Sequence, residues 1–245
     1  MSVNALRWLV FLGILILGCT QCSPIGPLGG GRGRSSPESF RPFQSAPNYV
    51  GGRSCSSMLR QVNVKVDMVK KGSQGRKVVR PMVPRYITIH STQNFTAGAK
   101  QHSLALKNGA LRSAKRPHGN RIGFLIWHFT VDQGVAIQHM PTNEQGEHAD
   151  FDGPGNRLSI GIEMCENRGC NLAATVDRTA KLTAVLMKRN GIPLKNVVPH
   201  YHWPRRGKTP PNKNCPHFLM DHGRPGAKWQ TFLRRVNYYY QHLDN

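Results

Sequence analysis

The sequence predicts a single α/β domain with a central mixed β-sheet flanked by helices, preceded by an export signal and a flexible tether. Two observations carry the fold class. From about Met58 onward, short β-prone segments alternate with segments of helical periodicity, the order that builds a sheet covered by helices. The 245 residues are 38% hydrophobic and 8% aromatic, enough for one core but low enough that part of the chain lies outside it.

Residues 62–66 (Val-Asn-Val-Lys-Val) alternate apolar and polar, and residues 86–90 (Tyr-Ile-Thr-Ile-His) are rich in β-formers, so both read as strands. Residues 98–108 read as a helix. Residues 123–131 are an apolar, β-prone run that turns at Asp132-Gln133-Gly134 into residues 135–138, a hairpin. Leu158 to Glu163 is a further strand. A helix is expected over residues 172–189, with Leu172, Val176, Ala180, Leu182, Val185 and Leu186 mostly on one face and Gly191 ending it. Val197 and Val198 make a short strand running into Pro199-His200, and residues 228–242 form a last helix with Trp229, Phe232, Leu233 and Val236 on one side.

Residues 1–18 hold one charge, Arg7, before the apolar run from Trp8 to Leu17, which has the length of a signal-peptide core and is too short to span a bilayer comfortably. Ile16-Leu17-Gly18-Cys19 looks like a bacterial lipobox, which makes Cys19 the expected lipid-attachment residue once residues 1–18 are removed. An ordinary cleaved signal with a chance cysteine is the alternative. Residues 19–57, which include Gly29-Gly30-Gly31-Arg32-Gly33-Arg34, read as a flexible Gly/Pro/Ser/Arg tether, and residues 58–245 as the folded domain. The expectation is an exported, periplasm-facing lipoprotein. Thr20, next to the cysteine, lacks the acidic character associated with inner-membrane retention, which points to the outer membrane in a Gram-negative cell.

Lys and Arg total 34 against 12 Asp and Glu, a net charge of +22, so the expected partner is an anionic polymer or surface. Nucleic acid is disfavoured by the export signal and by the lack of any interleaved Arg and aromatic motif. Six cysteines are too few for a disulfide scaffold, and Cys19 with Cys22 is the one C-x-x-C, with no second pair to complete a zinc finger. Cys165 and Cys170 flank the loop 166–169; export would permit a disulfide there, and two free thiols are the alternative.

His90, His200 and Cys215 stand at or just beyond predicted strand ends, where a sheet aims side chains into a shared cleft. Two neutral imidazoles and a thiolate are a good donor set for Zn²⁺, and three protein ligands leave a fourth position for water, as in a catalytic site. His202 competes with His200, because two positions apart in an extended segment point to one face; His200 is preferred.

Residues 86–92 (Tyr-Ile-Thr-Ile-His-Ser-Thr), 159–163 (Ser-Ile-Gly-Ile-Glu) and 213–217 (Lys-Asn-Cys-Pro-His) together resemble the zinc-dependent N-acetylmuramoyl-L-alanine amidases of the type-2 family, which includes a phage-lysozyme type and relates to the peptidoglycan recognition proteins. Residues 126–132, 138–141 and 197–200 match in the same order, so the resemblance runs from about Leu59 to Leu243 and looks closest to amidases of bacteria and their phages. It implies His90, His200 and Cys215 as zinc ligands, Glu163 as the proton-handling acid and Lys213 as a cationic helper for the oxyanion. It also implies cleft-lining, substrate-binding positions for His148 and His128, with a structural role as the equal alternative for His128, and peptidoglycan cut between N-acetylmuramic acid and L-alanine of the stem peptide. The residues independently support metal-assisted amide hydrolysis by a basic, exported enzyme, expected as a monomer. The rival is a non-catalytic peptidoglycan receptor of the same fold, against which the complete ligand set with Glu163 and Lys213 argues. The segment 203–212 is longer than the tight approach to the cysteine that the resemblance implies, which leaves Lys208 open as a rival to Lys213.

Overall fold

A computed structural model of the chain describes residues 53–113 and 122–244. The readings of residues 1–18 as a signal, of Cys19 as the lipid-attachment residue and of most of the tether lie outside the described residues. Six strands form one sheet, in the order β1 (Val64–Val66), β4 (Ala136–Gln138), β3 (Phe129–Val131), β5 (Ser159–Met164), β2 (Tyr86–Ser91), β6 (Val197–Pro199). The β3–β4 hairpin is antiparallel and the other pairings are parallel, which is the mixed sheet expected. Its turn is held by Asp132, whose Oδ1 accepts from the backbone N–H groups of Gly134 and Val135.

The β2–β5 ladder positions the chemistry. It pairs Ile87 with Ile160, Thr88 with Gly161, Ile89 with Ile162 and His90 with Glu163. Side chains alternate along a strand, so the four isoleucines, all fully buried, share one face, and Thr88, His90, Gly161 and Glu163 share the other. Trp203 closes over this second face, its Nε1–H donating to Thr88 Oγ1 at 2.9 Å.

Helix α4 (Leu172–Asn190) packs against β5 and β3 and carries α1 (Cys55–Val62) and α5 (Ala227–Gln241). Val176, Ala180, Leu182, Val185 and Leu186 are buried as their spacing predicts. Thr175, Thr179 and Thr183 are buried beside them, and the latter two each donate a hydroxyl hydrogen bond of 2.8 Å to the carbonyl four residues earlier, which satisfies the polar atom inside the packed face. From α5 come Trp229, Phe232 and Val236, and Tyr239 Oη donates to Asp177 of α4 at 2.6 Å. Helix α2 (Ala99–Lys107) packs on β3 and β4.

Three local expectations change. The chain is helical from Cys55, before the folded start expected at Met58 and across the first residue of the strand expected at 62–66. Ser54 caps the helix by accepting from the Ser57 N–H, and Asn63 ends it at φ 55 and anchors its amide to the Gly134 carbonyl, which leaves Val64–Val66 as the strand. In the run 123–131 only Phe129–Val131 is a strand. Upstream, the N–H groups of Leu125, Ile126 and His128 donate to the carbonyls of Leu111, Glu147 and Gly161, so no single neighbour supplies a ladder. A short helix α3 (Pro154–Leu158) and a small hairpin of β7 (Met220–Asp221) and β8 (Arg224–Pro225) were not legible as periodic segments. Among the described residues no helix is long and apolar enough to cross a membrane.

Candidate metal centre and active-site cleft

His90 sits near the end of β2, His200 opens a 3₁₀ turn directly after β6, and Cys215 lies on the loop beyond the segment 203–212. Their ligand atoms lie within 4.8 Å of one another and all three residues are buried. His202 stays outside this cluster. Residues 200–202 are a 3₁₀ turn rather than an extended segment, so positions 200 and 202 lie about two-thirds of a turn apart, and His202 is exposed against the Trp203 ring.

The three side chains are prepared for a cation. Burial holds the His90 imidazole well below its usual range and pushes His200 down to about 3, with the Lys213 charge acting in the same direction, so both rings are neutral and offer lone pairs. His200 Nε2 donates to the Ala149 carbonyl oxygen at 2.9 Å, which leaves His200 Nδ1 as an acceptor facing His90 Nδ1 at 2.9 Å. Burial pushes the Cys215 thiol up to about 12, and the Glu163 carboxylate adds to the rise. A positive charge among these donors would reverse that preference and stabilise the thiolate. Ser91 already donates its backbone N–H to Cys215 Sγ at 3.3 Å, and the Ser91 hydroxyl meets His217, which in turn faces Glu166 at 3.2 Å. Two neutral imidazoles and one sulfur, converging and buried, fit a metal ion with a further position open.

Glu163 reaches the centre because the strand register sets it beside His90, its Oε1 3.8 Å from His90 Nδ1. Its Oε2 is buried without a hydrogen-bond partner. Burial pushes the carboxyl up to about 7, against the lowering effect of Lys213. Glu163 and Lys213 line one cleft of about 340 Å³ together with His148 and His200. Arg205 and Lys208 from the long segment 203–212 line it as well, so that segment adds cations to the cleft rather than leaving it.

The two further histidines separate. His148 lines the cleft and its Nδ1 stands 3.0 Å from His90 Nε2. His128 is 0% exposed, with Nδ1 accepting from the Gly161 N–H and Nε2 donating to the Glu144 carbonyl, each at 2.9 Å. Both ring nitrogens serve the backbone, so of the two readings of His128 the substrate contact gives way to the structural one, a brace between β5 and the loop after β4. Cys165 and Cys170 are both free thiols, and Cys165 is buried. Sequence reasoning missed Glu147 and Asn156. Asn156 Oδ1 accepts from the N–H groups of His148 and Ala149, and its amide donates to Glu147 Oε1. The available signal was adjacency, since Glu147 directly precedes His148.

The model of the N-acetylmuramoyl-L-alanine amidase family matches residues 80–218, a stretch that holds every residue of the centre. The chain belongs to this family. It is 37% identical over 180 residues to the N-acetylmuramoyl-L-alanine amidase CwlH of Bacillus subtilis (strain 168), an alignment covering 72% of this chain and 62% of that protein. It is 39% identical over 174 residues to the N-acetylmuramoyl-L-alanine amidase XlyA of the same organism, covering 70% of this chain and 50% of that one. The solved catalytic domain of XlyA superposes with a TM-score of 0.57 at 37% identity, over 71% of this chain and 99% of that domain. The family chain thus spans 62% and 50% of the length of these two relatives.

Proposed function

We propose that this amidase-family chain is a zinc-dependent peptidoglycan hydrolase that cleaves the amide bond between the lactyl group of N-acetylmuramic acid and L-alanine of the stem peptide. The observation that carries the reading is the buried, unpartnered Oε2 of Glu163 at the edge of a three-donor cluster, a costly placement with no structural return unless a proton acceptor is needed there. His90, His200 and Cys215 would hold Zn²⁺, which when bound supplies a Lewis acid that polarises the scissile carbonyl and acidifies the attacking water. Glu163 takes the proton of that water and returns it to the departing L-alanine nitrogen, giving a carboxylate and a free amine. Lys213, on the same cleft wall, offsets the negative charge that develops on the carbonyl oxygen. Arg205 and Lys208 add positive potential that suits the carboxylates of a stem peptide, and the net charge of +22 suits an anionic wall.

The proposal extends to location. The apolar run ending in Gly18-Cys19 supports a lipid-anchored protein facing the periplasm, held in the outer membrane if the cell is Gram-negative. The test of the activity is mass analysis of muropeptides after incubation with the zinc-loaded protein. Release of intact stem peptides with a new L-alanine amino terminus is expected, and peptidoglycan that is bound but left uncut would overturn the reading in favour of a receptor.

A further inference from the structure

We propose that His148 is a positioning residue that selects which nitrogen of His90 faces the metal, an inference that rests on the zinc reading above. A carbonyl oxygen only accepts hydrogen bonds, so the protons of a histidine chain can be placed from its ends. At one end the Ser159 carbonyl stands 3.4 Å from His148 Nε2, which puts the His148 proton on that nitrogen and leaves Nδ1 an acceptor. His90 Nε2, 3.0 Å away, then donates, and His90 Nδ1 carries a lone pair. At the other end the Ala149 carbonyl takes the proton of His200 Nε2 in the same way. Three imidazoles therefore have their protons drawn outward to two backbone carbonyls, and two lone pairs meet at 2.9 Å beside Cys215. A cation placed between them would relieve that meeting. Running the chain in reverse would set a lone pair of His148 against the Ser159 oxygen.

The seat of the ring supports the same role. A Cβ on Gly161 would lie 2.8 Å from three atoms of the His148 ring, and one on Gly146 would lie 2.6 Å from its Cδ2, so the imidazole rests directly on glycine backbone. The His148 N–H is pinned by Asn156 Oδ1 at 2.8 Å, and Asn156 is itself tied through its own N–H to Asp150. A side chain free to follow a substrate needs none of this. A ring that must present one nitrogen to His90 in one orientation needs all of it.

The experiment is a zinc titration of the full chain against a chromophoric chelator, with cobalt absorption spectra as a second readout. His148→Asn keeps an oxygen where Nδ1 was, His148→Gln moves the amide to the Nε2 position, and His148→Ala removes both. We expect the Asn variant to bind zinc within about three-fold of wild type, with an unchanged cobalt spectrum, and the Gln and Ala variants to bind about 10 to 100-fold more weakly. Wild-type zinc binding matched by the Gln and Ala variants overturns this inference alone, as does a loss of muropeptide affinity at unchanged zinc affinity, which would make His148 a substrate contact. A wild type that binds no zinc removes the metal reading together with this inference. If the Ala variant fails to fold, ¹⁵N spectra of the zinc-loaded wild type still decide: His148 must be protonated at Nε2 and bare at Nδ1, and the opposite tautomer rejects the proposal.

Discussion

A buried carboxyl shifts toward its neutral form because the charged form has lost its water, and Glu163 and Glu147 both do so for this reason. They differ in what surrounds them. Glu163 keeps one oxygen unpaired over the donor cluster, whereas Glu147 is tied to Arg80 at 3.3 Å and to the Asn156 amide at 3.0 Å. Glu163→Gln is therefore expected to retain zinc and muropeptide affinity and to lose about 10² to 10⁴-fold in turnover, because a near-isosteric amide cannot accept the proton. Steady-state kinetics at measured zinc occupancy check this, and a variant that unfolds would instead mark Glu163 as structural. Glu147 predicts a stability effect. Burial pushes its carboxyl in the folded state up to about 7 from the ordinary 4.5, so folding takes up a proton and the contribution is fully present below about 4.5 and lost as the pH rises through 7. Urea unfolding between about pH 5 and 8 should show Glu147→Gln gaining stability relative to wild type as the pH rises, by up to about 3 kcal/mol. A difference that is flat with pH would show that Arg80 already neutralises the cost.

Whole elements carry the next level of control. Helix α4 is bounded by chemistry at both ends, with the Asn171 side chain accepting from the Ala174 N–H at its start and Gly191 at φ 63 closing it. No atom lies within 4 Å of a Cβ built on Gly191, so its substitution tests backbone conformation alone. Gly191→Ala should cost about 1 kcal/mol, a drop of roughly 2–4 °C in Tm for a domain of this size, with kcat/KM unchanged. Thermal melting and a parallel activity assay check the pair, and an altered kcat/KM would mean that α4 bears on the site more directly than its position on the isoleucine face implies. The β2–β5 ladder has the opposite sensitivity. A one-residue slip of either strand would turn its His90 or Glu163 to the opposite face and bring its isoleucines to the cleft, so the same four buried isoleucines that stabilise the sheet also specify the site.

At the scale of the molecule, the proposed activity would depend on where this basic domain is held. A charge of +22 favours contact with anionic wall and membrane surfaces, an attraction that salt screens and that does not by itself hold the protein in place. A lipid on Cys19 would add the hydrophobic share of the anchor, with residues 20–52 setting the reach. Cys19→Ala should move the protein from the membrane to the soluble fraction without changing its activity on isolated muropeptides. Fractionation and mass analysis of the amino terminus decide it, and a soluble, unlipidated wild type would overturn the anchor.

Composition and periodicity alone settle the class of the domain and the extents of α2, α4 and α5 to within a residue or two, because these depend on residue type and local spacing. The β-branched runs mark β2, β5 and β6 for the same reason. The candidate metal ligands and acid, by contrast, are singled out by the resemblance to the amidase family and not by spacing. Contact geometry decides the rest. His90 and His200 are 110 residues apart in sequence, and nothing local says that their Nδ1 atoms meet. The exclusion of His202 follows from a 3₁₀ turn forming where an extended segment was expected, and the use of His128 as a brace follows from two backbone groups that reach it from β5 and from the loop after β4. The direction of the proton chain through His148 depends on which carbonyl each ring nitrogen faces, a property of the packed chain that no segment of the sequence carries on its own.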